Sequence, residues 1–292
     1  MKSIQEANII EGTRVLVRVD WNVPVKDGAV LDNSRIEASV KTINYILERS
    51  GKAIILSHLG DGADSLEVVA KEAEKFFPNT QVRFVRDPWN CSSPDCKKSL
   101  EYLNNGGVAI VENLRFWAEK ENDQNFAKKL ADLGDIYVNE AFPVSHRAHT
   151  SVVALPKLLP HYAGFRFLEE FENLSLAFKP EHPFFFILGG AKFETKLPLV
   201  QKFLKIADDI FIGGANALPA SGGSFADNSK IIFPVGDIAA LDANAETLEV
   251  LKLKIENCKF IYGMGRLEIM KKVLWQVPWL WPECYLNVML KL

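Results

Sequence analysis

Strand-like and helix-like stretches alternate along most of this chain, and this alternation limits the fold more than any other feature. Residues 14–19 have a strand-like pattern, and residues 34–48 carry apolar side chains at helical spacing, with Ser34 placed to cap the helix. The same patterns predict strands at 52–57, 81–85, 107–111 and 135–138, and helices at 65–77 and 123–133. Such alternation predicts a parallel sheet with helices on both faces.

The alternation pauses at a proline-rich stretch and then resumes. Four prolines surround a helix-patterned segment at 165–177, which we interpret as an inter-domain helix with its linker: Pro156, Pro160, Pro180 and Pro183. Beyond it, the patterns predict a buried strand at 183–190 that runs into a glycine turn, a helix at 196–207 and a strand at 208–212. A length of 292 residues favours two domains, at about 100–200 residues per domain.

We therefore predict an α/β fold of two doubly wound, Rossmann-like parallel-sheet domains joined by a hinge helix, the second domain being incomplete. The predicted boundaries are 1–163 for the first domain, 164–180 for the hinge helix and linker, 181–262 for the partial second domain and 263–292 for an aberrant tail. The tail shows no clean hydrophobic period, whether of a helix or of a strand, and no recognisable turn residues between elements.

The composition excludes several classes of function. A net charge of −3 gives no basic surface for nucleic acid, and the first residues lack the charged start and apolar run of a signal peptide. No apolar run reaches the roughly 18 residues of a membrane span. The four cysteines form no C-x-x-C pair, so we expect no metal site and reduced thiols in a cytoplasmic protein. The expected partners are small molecules, with neither nucleic acid nor a membrane.

Polar side chains follow the predicted strands of the first half, where an open parallel sheet binds its ligands. Arginine's planar fork suits phosphate and carboxylate groups, so the set predicts a site for a small, doubly anionic substrate. Each residue taken alone is more typical of a surface ion pair, a turn or a structural histidine, and only the joint placement favours a site. The candidates are Asp20, Asn22, Arg35, His58, Arg115 and Arg147, with His146 and His149 close to the last of them.

The second half offers a candidate phosphate site. Gly190 follows a predicted strand, and Lys192 and Lys196 come directly after it at the start of a helix, where backbone N–H groups attract phosphate. Gly213 and Gly214 follow the next strand and would let a flat base approach the backbone. The stretch contains neither a Walker A loop nor a G-x-G-x-x-G fingerprint, and a helix start with solvated lysines is the simpler alternative.

Five motifs occur together in a distinctive order: RVDWNVP, SHLG, ENLRF, VNEAF followed by HRAHTS, and GGAKFETK. In this order they resemble the phosphoglycerate kinases over roughly residues 14–238. The resemblance implies a cytoplasmic, monomeric glycolytic kinase, a phosphotransferase with a carboxyl group as acceptor. Its N-terminal domain would bind 3-phosphoglycerate or 1,3-bisphosphoglycerate, and its C-terminal domain Mg-ATP or Mg-ADP, with the magnesium carried by the nucleotide. A hinge would close the two domains for reversible phosphoryl transfer.

The resemblance also implies roles for individual residues. Arg35 and Lys192 are the expected catalytic residues, which face the transferring phosphoryl group. Substrate binding is expected from Asp20, Asn22, Arg35, His58, Arg115 and Arg147. Nucleotide binding is expected from Gly190, Lys192, Lys196, Gly213 and Gly214. No residue of the chain is expected to bind the metal directly.

Three departures from the family pattern stand out. SHLGRP reads SHLGDG here, so Asp61 replaces an arginine and should weaken binding of an anion. The stretch between Gly213 and Pro234 is shorter than the family pattern. After Tyr262, the family's W-N-G-P-x-G segment, a later glutamate and a G-G-G-D-[ST] loop are absent.

A shift of reading frame after Tyr262 would account for the third departure. Codons re-read one base earlier are compatible with W-N-G-P-[LV]-G-N-Y-E-K-G-F-x-A-G-T. The genetic code forces the first glycine, the glutamate and the alanine of that string. We therefore hypothesise a truncated or frameshifted member of the family. The alternative is a catalytically impaired homologue that only binds 3-phosphoglycerate or a protein partner.

Overall fold

The computed structural model describes residues 1–89, 100–190, 193–223, 225–239, 243–264 and 286–289, and it divides into two compact units, Met1–Phe171 and Glu172–Leu292. Each unit is built on a parallel sheet with helices, so the predicted α/β fold class is confirmed. The predicted domain boundaries stay predictions. Within the described ranges, no helix combines the length and the hydrophobicity needed to cross a bilayer.

The first unit combines strands and helices along the chain. Its strands are β1 Arg14–Arg18, β2 Val25–Lys26, β3 Ala29–Val30, β4 Lys52–Leu56, β5 Val82–Val85, β6 Val108–Val111, β7 Ile136–Asn139 and β8 His161–Ala163. Its helices are α1 Ser34–Leu47, α2 Glu67–Glu74, α3 Gln124–Ala131 and α4 Phe165–Leu176, the last of which ends in the second unit. The six-stranded sheet has the order β5-β6-β4-β1-β7-β8 and is parallel throughout, while β2 and β3 form a separate antiparallel pair.

The sheet of the first unit buries apolar side chains on both faces. Because successive strand residues point to opposite faces, Val15 and Val17 of β1 belong to one core cluster and Leu16 to the other. A strand covered on both faces has no solvent side, which explains the near-continuous apolar runs of β4 and β6. The register follows: Val15 lies opposite Ala53 and Ile136, and all strand carboxyl ends meet at one edge.

Aromatic side chains cover one face of this sheet near helix α3. The rings of Trp89 and Trp117 lie with their centroids 4.6 Å apart at an interplanar angle of 90°, and Phe126 of α3 packs beside both. Edge-to-face contact of this kind is favoured by the quadrupoles of the rings. Helix α3 is thereby fixed against the sheet.

The start of helix α4 is held by a buried carboxylate. Oε1 of Glu140, just beyond β7, accepts hydrogen bonds from the Thr42 hydroxyl at 2.5 Å and the Arg166 backbone N–H at 3.1 Å. The Phe165 N–H donates to the Thr42 hydroxyl oxygen at 2.9 Å. These bonds satisfy N–H groups that the first turn of a helix leaves without partners. Gly164 allows the approach, since a Cβ there would lie 1.8 Å from Oε2 of Glu140.

The second unit repeats the same construction with fewer strands. Its strands are β9 Phe184–Leu188, β10 Asp209–Ile212, β11 Ile231–Ile232, β12 Phe260–Met264 and β13 Leu286–Met289, in the sheet order β11-β10-β9-β12-β13. Its helices are α5 Phe193–Phe203, α6 Ala217–Ser221 and α7 Ala245–Ile255. Phe184 and Phe186 of β9 pack into one core cluster and Phe185 into the other, so this sheet is also covered on both faces.

Several local details differ from the sequence predictions. Helix α5 begins at Phe193, not at residue 196, so Lys196 lies one turn into the helix. Strand β8 occupies part of the proline-rich stretch that was predicted to interrupt the alternation, where its backbone pairs with β7. Beyond residue 212, β11, α6, α7 and β12 were not predicted. Most of the predicted tail lies outside the described residues, although β13 pairs with β12 in parallel.

Candidate functional site

Side chains from four strand ends meet at the carboxyl edge of the first sheet. The Trp21 N–H, just after β1, donates to the Ser57 hydroxyl after β4 at 3.0 Å. The Gly60 N–H donates to Oδ1 of Asn22 at 2.9 Å, so the amide oxygen of this predicted substrate residue holds the neighbouring loop. These cross-links fix the strand-end loops relative to one another, which is how a rigid scaffold positions functional side chains.

Asp20 and Arg35 form an ion pair at this edge. Nη1 of Arg35, at the start of α1, donates to Oδ2 of Asp20 at 2.7 Å. The other carboxylate oxygen, Oδ1, is buried and has no hydrogen-bond partner among the described residues. A buried acceptor without a partner is costly, so it suits a ligand that brings a hydroxyl donor.

Arg115 lies against the loop that follows β4. Its Nη1 donates to the carbonyl oxygen of Gly60, and its Nε is buried with no partner among the described residues. Gly62 packs on the Arg115 backbone, where a Cβ would come within 2.8 Å of the carbonyl oxygen, and its φ of +104° favours glycine. A fixed guanidinium with an unused N–H is a donor ready for an anion.

Arg18 is a component of the site that the sequence pattern did not reveal. It is fully buried in β1, yet its three nitrogens all have partners: Nε donates to Ser151 Oγ at 2.8 Å, Nη1 to the Val19 carbonyl, and Nη2 contacts Nδ1 of His58 at 3.1 Å. Arg18 shares its sheet face with the buried Leu16. Arg18 lies on a strand that was predicted to be covered on both faces, and a buried charge must be paired. This requirement was the one feature of the sequence that could have indicated a buried polar cluster at Arg18.

Glu119 is the second unpredicted component and lies beneath the cluster. The buried carboxylate accepts from the Ser151 hydroxyl at 2.5 Å and from the Ser151 N–H at 3.0 Å. Its Oε1 is 3.8 Å from both Arg18 Nη2 and His149 Nδ1. Burial raises the pKa of Glu119, although Arg18 and the two Ser151 bonds oppose the rise. No motif marked this glutamate, because it lies in an irregular loop.

Burial, together with the surrounding positive charge, changes the protonation of the histidines. Burial lowers the pKa of His58 to about 2, helped by Arg18, Arg115 and Arg147. Burial lowers the pKa of His149 to about 4, helped by the same arginines. Both imidazoles are therefore neutral at pH 7, and the cationic groups of the cluster are the arginines. Burial and the charge of Arg147 also lower the pKa of Arg115, which indicates that the arginines repel one another without a ligand.

Asp61 places a negative charge at the rim of this cluster. Its carboxylate lies 3.6 Å from Nη1 of Arg115 and 3.7 Å from Nζ of Lys120, and Lys120 also donates to its backbone carbonyl at 3.1 Å. The Asp61 side chain is almost fully exposed. An exposed carboxylate is screened by water, so it reduces the positive potential of the site without cancelling it.

In the second unit, two glycine turns follow adjacent parallel strands. Gly189 and Gly190 come after β9, and Gly213 and Gly214 come after β10, whose register with β9 brings both turns to one edge. The Gly213 N–H donates to the Leu188 carbonyl at 2.8 Å. Gly214 opens a short 3-10 segment that leads into α6. The predicted glycines therefore lie together at a strand-end edge, as expected of a phosphate or nucleotide site.

One backbone carbonyl in this edge accepts two side-chain donors. The Gly189 oxygen accepts from Nζ of Lys196 and from Nδ2 of Asn216, each at 2.8 Å. Burial lowers the pKa of Lys196. Oδ1 of Asn216 is buried and has no partner among the described residues, and sequence reasoning did not single out this asparagine. Lys192, the other predicted lysine, lies outside the described residues.

Taken together, the first unit brings its predicted residues to one edge, and the second unit does so for Gly190, Lys196, Gly213 and Gly214. Across the described part of the chain, no group of three or more His, Cys, Asp or Glu side chains is arranged to hold a metal ion. The first edge offers guanidinium and imidazole donors to an anion. The second edge offers the ammonium group of Lys196 and glycine turns whose backbone a ligand can approach closely.

Comparison with known proteins supports a single family. Residues 4–226 match the family described as phosphoglycerate kinase. The chain is 42% identical over 216 residues to a phosphoglycerate kinase of Moorella thermoacetica, covering 71% of this chain and 54% of that protein. It is 40% identical over 227 residues to one from Aquifex aeolicus, covering 74% of this chain and 55% of that protein. The chain thus spans about half the length of the curated relatives it matches.

Solved structures extend the similarity beyond the matched segment. Phosphoglycerate kinase from Coxiella burnetii superposes with a TM-score of 0.73 at 26% identity, covering 92% of this chain and 81% of that one. The enzyme from Pyrococcus horikoshii superposes with a TM-score of 0.80 at 24% identity, covering 93% and 82%, and this likeness concerns the fold alone.

Proposed function

Because the chain belongs to the phosphoglycerate kinase family, we propose that it catalyses reversible phosphoryl transfer between ATP and the carboxyl group of 3-phosphoglycerate, giving ADP and 1,3-bisphosphoglycerate. The observation that carries the proposal is the cluster of arginines at the carboxyl edge of the first sheet. Buried donor and acceptor atoms there, Nε of Arg115 and Oδ1 of Asp20, have no partner among the described residues. The reaction belongs to glycolysis, and the chain would act as a cytoplasmic monomer.

The geometry of the first unit supports the binding of a phosphorylated hydroxy acid. Arg115 and Arg147 would hold the phosphate group of 3-phosphoglycerate, with His58 donating a further hydrogen bond. Oδ1 of Asp20 would accept a hydrogen bond from the substrate hydroxyl, and Asn22 would hold the loop at Gly60 that supports Arg115. Arg35, paired with Asp20 at 2.7 Å, would neutralise charge on the transferring phosphoryl group.

The second unit would bind the nucleotide phosphates through Lys196 and the backbone at Gly190, with Gly213 and Gly214 against the base. The buried Oδ1 of Asn216 and the glycine turns fit a nucleotide, which brings amine and hydroxyl donors. Mg-ATP would supply the phosphoryl group and, through its metal, partial charge neutralisation. Lys192 would face that phosphoryl group. Positioning and charge neutralisation then provide most of the catalysis.

A coupled assay for 1,3-bisphosphoglycerate formation from ATP and 3-phosphoglycerate tests the proposal directly. We expect turnover that is lost in Arg35→Ala, because the charge that stabilises the transferring group is removed. A parallel assay uses the protein expressed from a gene in which one base is restored after the Tyr262 codon. Activity in that protein alone would mean that the function is assigned correctly and that the segment after Tyr262 is damaged. No turnover in either chain, with no binding of 3-phosphoglycerate, would reject the proposal.

A second candidate function is binding of 3-phosphoglycerate without turnover. One observation favours it: the family match ends at residue 226, whereas the arginine cluster lies entirely within the matched segment. Calorimetric titration separates the two functions. Binding of both 3-phosphoglycerate and Mg-ATP supports the kinase, and binding of 3-phosphoglycerate alone supports the second candidate.

A further inference from the structure

The partners of Arg18 determine which nitrogen of His58 can carry a proton. Nη2 of Arg18 lies 3.1 Å from Nδ1 of His58, and both residues are buried. A guanidinium has N–H donors and no acceptor, so Nδ1 must accept this hydrogen bond and carries no proton. The single proton of the neutral ring is then on Nε2. Nε2 makes no hydrogen bond to any residue that the structure describes.

The surroundings of His58 also exclude its doubly protonated form. An imidazolium would direct an Nδ1–H at a guanidinium donor. The groups whose charges act on the ring are Arg18, Arg115, Arg147 and His149, none of them negative. Burial adds to the same effect, because it disfavours the charged form of a histidine. His58 is thus a hydrogen-bond donor without being a cation.

The orientation of Arg18 depends in turn on Ser151 and Glu119. The Ser151 hydroxyl donates its only hydrogen to Oε1 of Glu119 at 2.5 Å, which leaves its lone pairs for Nε of Arg18 at 2.8 Å. The Ser151 N–H donates to the other carboxylate oxygen at 3.0 Å. The carboxylate therefore sets the direction of the serine hydroxyl, and the hydroxyl fixes one side of the guanidinium.

From this chain of contacts we propose that His58 serves the anion site as a neutral donor through Nε2–H, and that Glu119 is a positioning residue which maintains this tautomer through Ser151 and Arg18. The identity of the anion, the phosphate or carboxylate group of 3-phosphoglycerate, rests on the proposed function. The tautomer does not, because it follows from contacts within the ligand-free chain. A neutral donor would contribute direction to anion binding, while the arginines contribute charge.

Nuclear magnetic resonance of the full 292-residue chain tests the tautomer without any ligand. Long-range ¹H–¹⁵N correlation of the imidazole rings, with the His58 signals assigned by their loss in His58→Gln, reports which nitrogen is protonated. We expect the Nε2–H form, unchanged between about pH 5.5 and 8, a range in which an ordinary histidine titrates. An Nδ1–H form, or titration within that range, would overturn the proposal.

Two substitutions of His58 test how the donor is used. The amide nitrogen of glutamine reaches the position of Nε2, whereas that of asparagine reaches only the position of Nδ1. Titration with inorganic phosphate and with 3-phosphoglycerate should show His58→Asn binding about tenfold more weakly than His58→Gln, the loss expected for a hydrogen bond to a charged group. Equal affinities, or tighter binding by the asparagine variant, would contradict the role of Nε2–H.

The positioning role of Glu119 has a separate readout. In Glu119→Gln we expect a second His58 tautomer to appear in the ¹⁵N spectrum, because the serine hydroxyl is no longer held in one direction. Ser151→Ala should do the same if the glutamine variant does not fold. Ser151→Thr, which keeps the hydroxyl, should keep the single form of the parent chain. A spectrum of His58 unchanged in both Glu119→Gln and Ser151→Ala would show that the carboxylate is merely structural.

Discussion

At the scale of single residues, the carboxylate of Asp61 competes with any anion for the same positive charges. It lies 3.6 Å from Arg115 and 3.7 Å from Lys120, and nothing covers it from solvent among the described residues. Its position at the rim means that a bound phosphate would meet its negative charge at short range. Removing that charge while keeping the shape of the side chain should therefore strengthen anion binding.

For Asp61→Asn we expect the affinity for 3-phosphoglycerate to rise roughly threefold at low salt and the gain to shrink in 1 M salt, as for any exposed charge. Isothermal titration calorimetry at two salt concentrations measures this. Asp227→Asn, a substitution of an exposed acid in the second unit, is the matched control and should leave the affinity unchanged. Weaker binding by Asp61→Asn would mean that the carboxylate supports the loop and does not oppose the ligand.

Strand-end residues were predictable because parallel topology alone brings them to one edge, and Arg115 and His58 indeed lie there. Arg18 and Glu119 were not predictable in the same way. Their partners come from distant parts of the chain, such as Ser151, and only the folded sheet shows which buried groups must pair. The neutral state of His58 likewise depends on burial and on charges that the sequence cannot place.

At the scale of elements, the start of helix α4 depends on a close approach that only glycine permits. A Cβ on residue 164 would lie 1.8 Å from Oε2 and 2.6 Å from Cδ of Glu140, and that carboxylate also holds Thr42 and the first helical N–H groups. The carboxylate could move away only by giving up these hydrogen bonds. The junction of β7 and α4 is therefore the least tolerant glycine position near this helix.

We predict that Gly164→Ala lowers the free energy of unfolding by about 2–4 kcal/mol, the cost of overpacking combined with lost buried hydrogen bonds. Urea denaturation followed by circular dichroism measures the change. Gly222→Ala is the control, since a Cβ there would meet nothing within 4 Å, and it should be nearly neutral. A similar effect of both substitutions would argue against the clash.

The same carboxylate makes helix α4 sensitive to pH. Burial raises the pKa of Glu140 to about 7, even though Thr42 and two backbone N–H groups favour the charged form. Between the ordinary glutamate pKa and about 7 the folded state holds more protons than the unfolded state, so this group's contribution to stability falls as pH rises. Above that range the loss is complete.

The parent chain should lose stability relative to Glu140→Gln as pH rises from about 4.5 to 7.5. Over this range, the unfolding free energy of the variant minus that of the parent should increase by up to about 3 kcal/mol. Urea denaturation at several pH values gives this difference. Glu169→Gln, on the same helix but half exposed and paired with Arg166, is the matched control for the loss of a carboxylate on this helix. A pH-independent difference for Glu140→Gln would mean that the buried carboxylate keeps an ordinary pKa.

Elements with a strong apolar pattern were predicted well. Short elements, and strands that form only because a neighbouring strand offers its backbone, were not. Strands β4, β6 and β9 consist almost entirely of apolar residues because both faces of each sheet are covered, which gives the sequence a strong signal. Strand β8 has three residues beside a proline and exists because β7 offers it a backbone edge. The early start of α5 at Phe193 was hidden by the glycine turn that precedes it.

At the scale of the whole molecule, the chain consists of two units, each with its own pair of core clusters on the faces of its own sheet. Separate cores allow a ligand to stabilise one unit without the other. We predict that 3-phosphoglycerate at 100 times its dissociation constant adds about 2.7 kcal/mol of protection to the amides of β1 and β4. Amides of β9 and β10 should gain far less.

Hydrogen exchange measured by mass spectrometry resolves the two sheets. Mg-ATP provides the reciprocal control, since it should protect the second sheet in preference to the first. Equal protection of both sheets by 3-phosphoglycerate would indicate that the units unfold as one cooperative body, and no protection of either would count against binding at the first edge.

The perpendicular contact of Trp89 with Trp117 gives the first unit an optical signature. With ring centroids 4.6 Å apart, the two indoles share their electronic excitation, and such coupled chromophores produce a pair of circular-dichroism bands of opposite sign. The bands depend on the mutual orientation of the rings, so they vanish as soon as α3 and its neighbouring loops separate from the sheet. Circular dichroism can thus follow the packing of α3 on the first sheet without any dye or label.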